Sequence, residues 1–127
     1  MKYTPKIEKE IMCPIEHGLD IFGGKWKSRI ICVLSSAAVM RYSQVRQELG
    51  NITDAVLASM LKDLVSDGMI CRKQYEQIPP RVEYCLTEKG KSVLPILQSI
   101  CHWSQRQTSD EIAKKLPPCR SCPQLLL

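Results

Sequence analysis

The chain has 127 residues, and its 18 basic and 13 acidic side chains give a formal net charge of +5. This length suits one compact domain, and no uncharged apolar stretch is long enough to cross a bilayer or to form the core of a signal peptide. We therefore expect a cytoplasmic, single-domain protein whose evenly spread basic residues permit nucleic-acid binding without arguing strongly for it.

Two helices are predicted at the N-terminal end of the domain. The first covers Pro14–Phe22, because proline fits the first helical position, where its missing N–H group has no partner anyway. The next two residues are glycines, which end this helix. Residues 25–34 form the second helix, with Trp26, Ile30, Val33 and Leu34 facing inward. Residues 35–40 show no clear period and are expected to be a loop.

A short helix, a tight turn and a longer helix follow. The short helix spans Tyr42–Leu49, with Ser43 as its expected N-cap and an apolar inner side. Gly50 and Asn51 lie in the turn, because both tolerate positive φ. The longer helix spans residues 53–67.

The longer helix is amphipathic. Thr53 is its expected N-cap, and Gly68 ends it at the position after the C-cap. Apolar residues recur in pairs every four positions, which predicts a buried face. This face is formed by Val56, Leu57, Met60, Leu61, Leu64 and Val65. The opposite face is short or polar and consists of Asp54, Ala55, Ala58, Ser59 and Lys62.

A hairpin and a last helix complete the domain. Strands are predicted at residues 69–75 and 82–87, around a loop that contains two prolines. Alternation places Val82, Tyr84 and Leu86 on one face of the second strand and Glu83, Cys85 and Thr87 on the other. Thr87 is expected to cap a helix over residues 88–105, which Pro95 should kink. Residues 1–12 and 106–127 are expected to be an arm and a tail around a domain at 13–105.

This order of elements is typical of a winged helix-turn-helix. A helix fits the major groove of DNA, and small outward residues let its backbone approach the bases. The predicted contacts of the longer helix are Asp54, Ala55, Ala58, Ser59 and Lys62. In the hairpin, or wing, Arg72, Lys73 and Arg81 are predicted to meet the DNA backbone or minor groove. Arg41, Ser43, Gln44 and Arg46 are predicted to lie against the flanking backbone. The pattern also permits a protein-interaction module.

Specific motifs support the DNA-binding alternative. They are Cys13-Pro14-Ile15-Glu16, Gly23-Gly24-Lys25-Trp26, Arg41-Tyr42-Ser43, Pro79-Pro80-Arg81-Val82-Glu83-Tyr84, Leu86-Thr87-Glu88, Gly90 and Trp103. With these motifs the chain resembles the HxlR-type branch of the MarR-like regulators from Cys13 to Trp103. The resemblance implies a mainly α fold with a small β wing, and a bacterial transcription regulator that binds duplex operator DNA as a homodimer. It also implies that the N- and C-terminal helices form the dimer interface, through Ile15, Leu19, Phe22, Leu94, Leu97, Ile100 and Trp103.

Two departures from the family pattern affect the operator. The loop at residues 35–40 lacks the glycine expected before Arg41 and is about one residue longer. The turn reads Gly50-Asn51 where the family more often has Pro-Gly. Both changes bear on the angle of the recognition helix and leave the operator sequence open.

Seven cysteines are many for this length. Their odd number and the absence of a secretion signal argue against a disulfide framework, and Cys32 and Cys101 fit apolar patterns as core fillers. Cys13 precedes Pro14 at the first helix N-terminus, where unpaired N–H groups favour a reactive thiolate. In the resembling family many members sense oxidants or electrophiles through a cysteine here; the alternative is a buried interface residue.

The tail contains a second candidate for thiol chemistry. Cys119 and Cys122 could form a disulfide, pair with the partner subunit's Cys13, or supply half of a metal site, for which two cysteines are weak evidence. No cofactor, metal site or enzymatic activity is predicted. A regulator switched by a small ligand in the dimer cleft remains an alternative to a thiol switch.

Overall fold

The computed structural model describes residues 13–107, which form six helices and a small antiparallel sheet. The elements in chain order are α1 (Pro14–Phe22), α2 (Lys27–Ser35), β1 (Met40–Arg41), α3 (Tyr42–Leu49), α4 (Asp54–Ser66), β2 (Ile70–Tyr75), β3 (Arg81–Leu86), α5 (Glu88–Ser92) and α6 (Leu94–Gln107). This order confirms the predicted winged helix-turn-helix. No helix within residues 13–107 is long and apolar enough to span a membrane.

The core lies between α2, the helix-turn-helix pair and the sheet. Its fully buried side chains come from α2, α3, α4 and β2 and are Ile30, Ile31, Leu34, Val45, Leu57, Leu64 and Ile70. In α4 the buried positions Leu57, Leu61 and Leu64 recur at helical spacing, so one face of α4 is anchored in the core. Val56 and Val65, predicted to share that face, lie at its edges and are more than a third exposed.

The start of α3 corrects one prediction. Arg41, not Ser43, is the N-cap, and the backbone N–H of Arg41 donates to Oε1 of Gln44 at 2.8 Å. Ser43 therefore lies inside the first turn of the helix. The reason is that the extended backbone of β1 ends at Arg41, so the helix begins at Tyr42, two residues before the start that capping by Ser43 would require.

A loop is predicted at residues 35–40, but Met40 and Arg41 form strand β1. It is only two residues long, and it pairs with β3 through Met40 opposite Tyr84 and Arg41 opposite Glu83. The sheet order is β1-β3-β2, so β2 is an edge strand held by β3 alone. A two-residue strand carries no periodicity, and the sequence pattern could not identify it.

The predicted last helix is divided in two. Thr87 caps α5 as expected, its Oγ1 accepting from the N–H of Gly90 at 3.0 Å. The helix then breaks at Val93 rather than bending at Pro95. Proline lacks an N–H group, and its ring clashes with the carbonyl four residues earlier, so the chain starts a new helix just before Pro95.

Candidate nucleic-acid interface

The outer face of α4 presents small and polar side chains to solvent. All five predicted members of this face, which we call the recognition face, are exposed: Asp54, Ala55, Ala58, Ser59 and Lys62. Thr53 caps the helix as predicted, its Oγ1 accepting from the N–H of Val56 at 3.2 Å. Ala55, Ala58 and Ser59 leave the backbone accessible, which close approach to base edges requires.

The turn before α4 is fixed by polar contacts around Asp54. Nε of Arg46 lies 2.8 Å from Oδ1 of Asp54, and the hydroxyl of Tyr42 donates to the same oxygen at 3.1 Å. Burial raises the pKa of Tyr42, and the hydrogen bond to Asp54 raises it further. Asp54 therefore already has protein partners, and it orients α4 against α3.

Two contacts hold the helix pair against α2. Nη2 of Arg29 donates to the carbonyl of Leu49, the last residue of α3, at 3.3 Å. Lys27 on α2 and Asp63 on α4 form a half-buried ion pair at 3.4 Å. In the turn itself, Gly50 takes a positive φ of 80°, a backbone conformation that favours glycine. The recognition face is thus carried on a helix fixed at several points.

Arg41, the predicted cation before α3, lies beside the central strand. Arg41 is exposed and stands opposite Glu83 in the β1–β3 pairing. Ser43 and Gln44 are also exposed on the first turn of α3, although the side chain of Gln44 is engaged with the backbone of Arg41. Arg41 and Ser43 are therefore accessible to a partner at the N-terminal end of the helix-turn-helix.

The three predicted wing cations are close together but differ in accessibility. Lys73 and Arg81 both lie over the ring of Tyr75, with Nζ of Lys73 at 5.0 Å and Cζ of Arg81 at 4.2 Å from the ring centroid. Arg81 is half-buried, with Nε 3.5 Å from a carboxylate oxygen of Glu83. Arg72 is exposed and donates to Oε1 of Gln74 at 3.3 Å. Tyr75, which the sequence analysis missed, positions two of these three cations.

The base of the wing holds a disulfide. Cys71 on β2 and Cys85 on β3 are register partners with Cα atoms 5.4 Å apart, and their sulfurs are bonded. The odd number of cysteines argues against a disulfide framework, and the sequence patterns do not predict this bond; the structure corrects that expectation for Cys71 and Cys85. The sequence carries one signal for this pairing, namely the equal distance of the two cysteines from the loop. Each lies four residues from the end of its strand at the loop.

A second surface, on α1 and α6, is apolar and exposed. Five large side chains on it are about half exposed or more, and we call them the apolar face: Ile15, Leu19, Ile96, Ile100 and Trp103. Both helices pack against α2, and α1 contains no fully buried residue. Four of the seven predicted interface residues, namely Ile15, Leu19, Ile100 and Trp103, thus lie open.

The other three predicted interface residues contribute to the protomer core. Leu97 is only 4% exposed, and Phe22 and Leu94 are half-buried against the core. Leu97 in particular is buried by its own chain, so it offers little area to a partner. Ile96, absent from the predicted set, is half exposed. The exposed apolar side of α6 therefore carries Ile96 rather than Leu94 and Leu97.

Cys13 is exposed and is the N-cap residue of α1, as predicted. Its side chain makes no capping hydrogen bond, so the thiol is available for reaction. Cys32 and Cys101 are half-buried. The predicted Cys119 and Cys122 lie outside the described residues.

Comparison with known proteins gives the family. The profile of HxlR-like helix-turn-helix proteins matches residues 21–112. The chain belongs to this family. It is a transcriptional regulator of the helix-turn-helix type, and it is 42% identical over 104 residues to an uncharacterised HTH-type transcriptional regulator of Methanothermobacter thermautotrophicus, covering 82% of this chain and 79% of that protein.

Two solved structures share the fold closely. The redox regulator HypR in its oxidised form superposes with a TM-score of 0.70 at 35% identity, over 76% of this chain and 99% of that chain. The reduced form of the transcriptional regulator YodB from B. subtilis superposes with a TM-score of 0.68 at 28% identity, over 78% of this chain and 97% of that chain.

Proposed function

We propose that this HxlR-like regulator binds duplex operator DNA as a homodimer, and that oxidation or electrophile modification of Cys13 changes this binding. The observation that carries the DNA-binding part is the recognition face. It combines exposed small residues with Lys62 on a 13-residue helix that is anchored in the core on its other side. Such a helix is about 20 Å long and fits the major groove.

Flanking cations supply the backbone contacts in this proposal. Arg41 lies beyond one end of the helix-turn-helix, and Arg72 and Lys73 are exposed on the wing. Phosphate contacts fix the register and orientation of the protein on the duplex, whereas the recognition face contacts the edges of the bases. Because the formal net charge is only +5, we expect affinity to depend on these few cations and to fall with added salt.

The homodimer is proposed from the apolar face. Large apolar side chains such as Trp103, 64% exposed, and Ile15, 73% exposed, are costly to leave in water. Burying one such side chain contributes roughly 1.5–3 kcal/mol. A two-fold interface uses the same patch on both subunits, so α1 and α6 of two copies would cover each other and present two recognition faces to one DNA.

Cys13 is the proposed sensor. It is exposed at the N-terminus of α1, a helix of the proposed interface, so a bulky adduct or a bond to another thiol there would alter subunit packing. The names of two neighbours support this class of function, since HypR is called a redox regulator and YodB has also been solved after diamide treatment.

DNA binding is tested with the promoter DNA beside the chain's own gene. Fluorescence anisotropy should show salt-dependent binding by the wild type, which Ser59→Glu or Lys62→Glu abolishes while the dimer persists. Lys91→Glu is the matched control, because Lys91 is an exposed lysine on α5 that pairs only weakly with Glu88. Undiminished binding by both recognition-face variants would place the interface elsewhere. No binding by the wild type would favour the protein-interaction module.

The Cys13 switch is tested in a background that lacks the wing disulfide. The Cys71→Ser/Cys85→Ser protein is assayed reduced and after diamide or a quinone, with either Cys13 or Cys13→Ser. We expect the oxidant to change operator affinity at least tenfold in the first protein and not in the second. Equal affinities under all conditions would contradict the thiol switch and direct the search to a small ligand at the dimer cleft.

A further inference from the structure

The wing disulfide lies near the base of the hairpin. One residue pair nearer the core, Ile70 stands opposite Leu86, and Ile70 is almost fully buried. Cys71 and Cys85 form the next pair, with a Cα separation within the range that disulfides span. Cys71 is exposed and Cys85 half-buried, so reagents in water can reach the pair.

Every cation of the wing lies on the tip side of this bond. Beyond the cysteines, Lys73 stands opposite Glu83 and Tyr75 opposite Arg81, and the loop at residues 76–80 follows. These pairs share the outer face with the cysteines, because side chains alternate along a strand. A bond that limits how far the two strands separate at the cysteines therefore also limits the movement of Lys73, Tyr75 and Arg81.

On the tip side of this bond, strand β2 is held mainly by its pairing with β3. Of the six β2 residues, Ile70 alone is buried, and the strand is at the edge of the sheet. Pairing with β1 reaches only as far as Glu83 of β3, so the hairpin beyond Glu83 is two-stranded, and an isolated two-stranded hairpin is marginally stable in water. In the chain-entropy model of disulfides, a bond that closes a loop of about 15 residues lowers the equilibrium constant for opening the hairpin by on the order of 100-fold at most.

We propose that Cys71 and Cys85 form a reversible dithiol–disulfide site within each wing, separate from Cys13, that sets the rigidity of the wing. Its effect on DNA rests on the proposed function: the oxidised wing holds Lys73 and Arg81 in place, which reduces the ordering cost of phosphate contact and tightens binding. The site therefore acts inside one subunit and does not require the apolar face.

The oxidant is of the hydroperoxide class. The thiolate of the more exposed Cys71 attacks the O–O bond, which gives a sulfenic acid on Cys71 and releases an alcohol, or water from hydrogen peroxide. The Cys85 thiol then attacks that sulfur, the S–S bond forms and water leaves. In sum, two thiols and one hydroperoxide give one disulfide, one alcohol and one water, and a dithiol reductant reverses the reaction by thiol–disulfide exchange.

Peptide mapping of the full chain tests the chemistry without DNA. The Cys13→Ser protein is reduced, treated with hydrogen peroxide, blocked with N-ethylmaleimide and digested with trypsin. Cleavage after Lys62, Arg72, Arg81 and Lys89 should yield residues 63–72 linked to residues 82–89, from a chain that remains a monomer on a denaturing gel. The absence of this linked peptide, or a predominant link to another cysteine, would overturn the proposal.

Hydrogen exchange and binding test the consequence. Amides of residues 72–82 should exchange at least tenfold more slowly after oxidation, and the oxidised Cys13→Ser protein should bind promoter DNA about three- to tenfold more tightly. Cys13→Ser/Cys71→Ser is the matched control and should show neither change. Unchanged exchange in the linked protein would overturn the proposal. If neither protein binds DNA while linkage and slower exchange are found, the proposed function fails and the redox site stands.

Discussion

Arg46 and Asp54 form an ion pair across the turn of the helix-turn-helix, with 2.8 Å between Nε and Oδ1. The pair joins the last turn of α3 to the first turn of α4, and Asp54 also stands at the positive end of the α4 dipole. Tyr42 donates to the same carboxylate from the start of α3. Three side chains thus fix α3 and α4 relative to each other.

The energy of the Arg46–Asp54 pair can be measured by a double-mutant cycle. Both side chains are largely exposed, 48% and 71% respectively, so water screens the pair. From urea unfolding of the wild type, Arg46→Gln, Asp54→Asn and the double variant, we expect a coupling free energy of about 0.2–1 kcal/mol. A coupling indistinguishable from zero would mean that this ion pair does not help to fix the turn.

Tyr42 predicts a stability change at alkaline pH. Its pKa is raised above its ordinary value of about 10 by burial and by Asp54, so the folded state holds the proton more tightly than the unfolded state. This contribution is complete below pH about 10 and is lost as the pH rises through the folded pKa. Between pH about 9 and 11, the free energy of unfolding should fall less steeply for Tyr42→Phe than for the wild type. Parallel curves would contradict the assignment.

How far the sequence specifies the fold can be judged from individual elements. The bounds of α1 and α3 match their predictions, because proline and glycine mark both ends of the first and the apolar period is clear in the second. The recognition face of α4 follows from the same period. The position of β1 was not predictable, since two residues show no period and their pairing with β3 is a tertiary contact.

The candidate sites also contain features that the sequence predicts and features that depend on tertiary contacts. Exposure of the recognition-face side chains was predictable from one helix, because it depends on residues within that helix. The burial of Leu97 was not, because it depends on how α6 packs against α2 and the core, which is a tertiary contact. The Cys71–Cys85 bond required the hairpin register, and starting the second strand one residue too late shifts that register and moves the two cysteines out of opposition.

Gly90 should be intolerant of any side chain. It is buried in α5, and a Cβ atom there would overlap the carbonyl oxygen of Met69, at the end of the α4–β2 connection. Because backbone atoms cannot move aside cheaply, Gly90→Ala should lower the free energy of unfolding by roughly 1–3 kcal/mol. Gly18→Ala is the matched control. Its Cβ would have ordinary contact with Phe22, and alanine in a helix interior is favoured by about 0.5–1 kcal/mol. Equal effects of the two substitutions in urea unfolding would contradict the packing argument.

Substitutions at two positions of α6, Leu97 and Ile100, should affect folding and dimerisation separately. Leu97 is buried in its own protomer, so Leu97→Ala should lower the free energy of unfolding by about 2–5 kcal/mol. Ile100 is 48% exposed on the apolar face, so Ile100→Asp should leave the protomer folded and shift the dimer to monomers in sedimentation equilibrium. Ile78→Asp is the matched control, because Ile78 is fully exposed at the wing tip and the substitution introduces the same charge far from α6. If Ile100→Asp sediments as the control does, the apolar face is not the dimer interface.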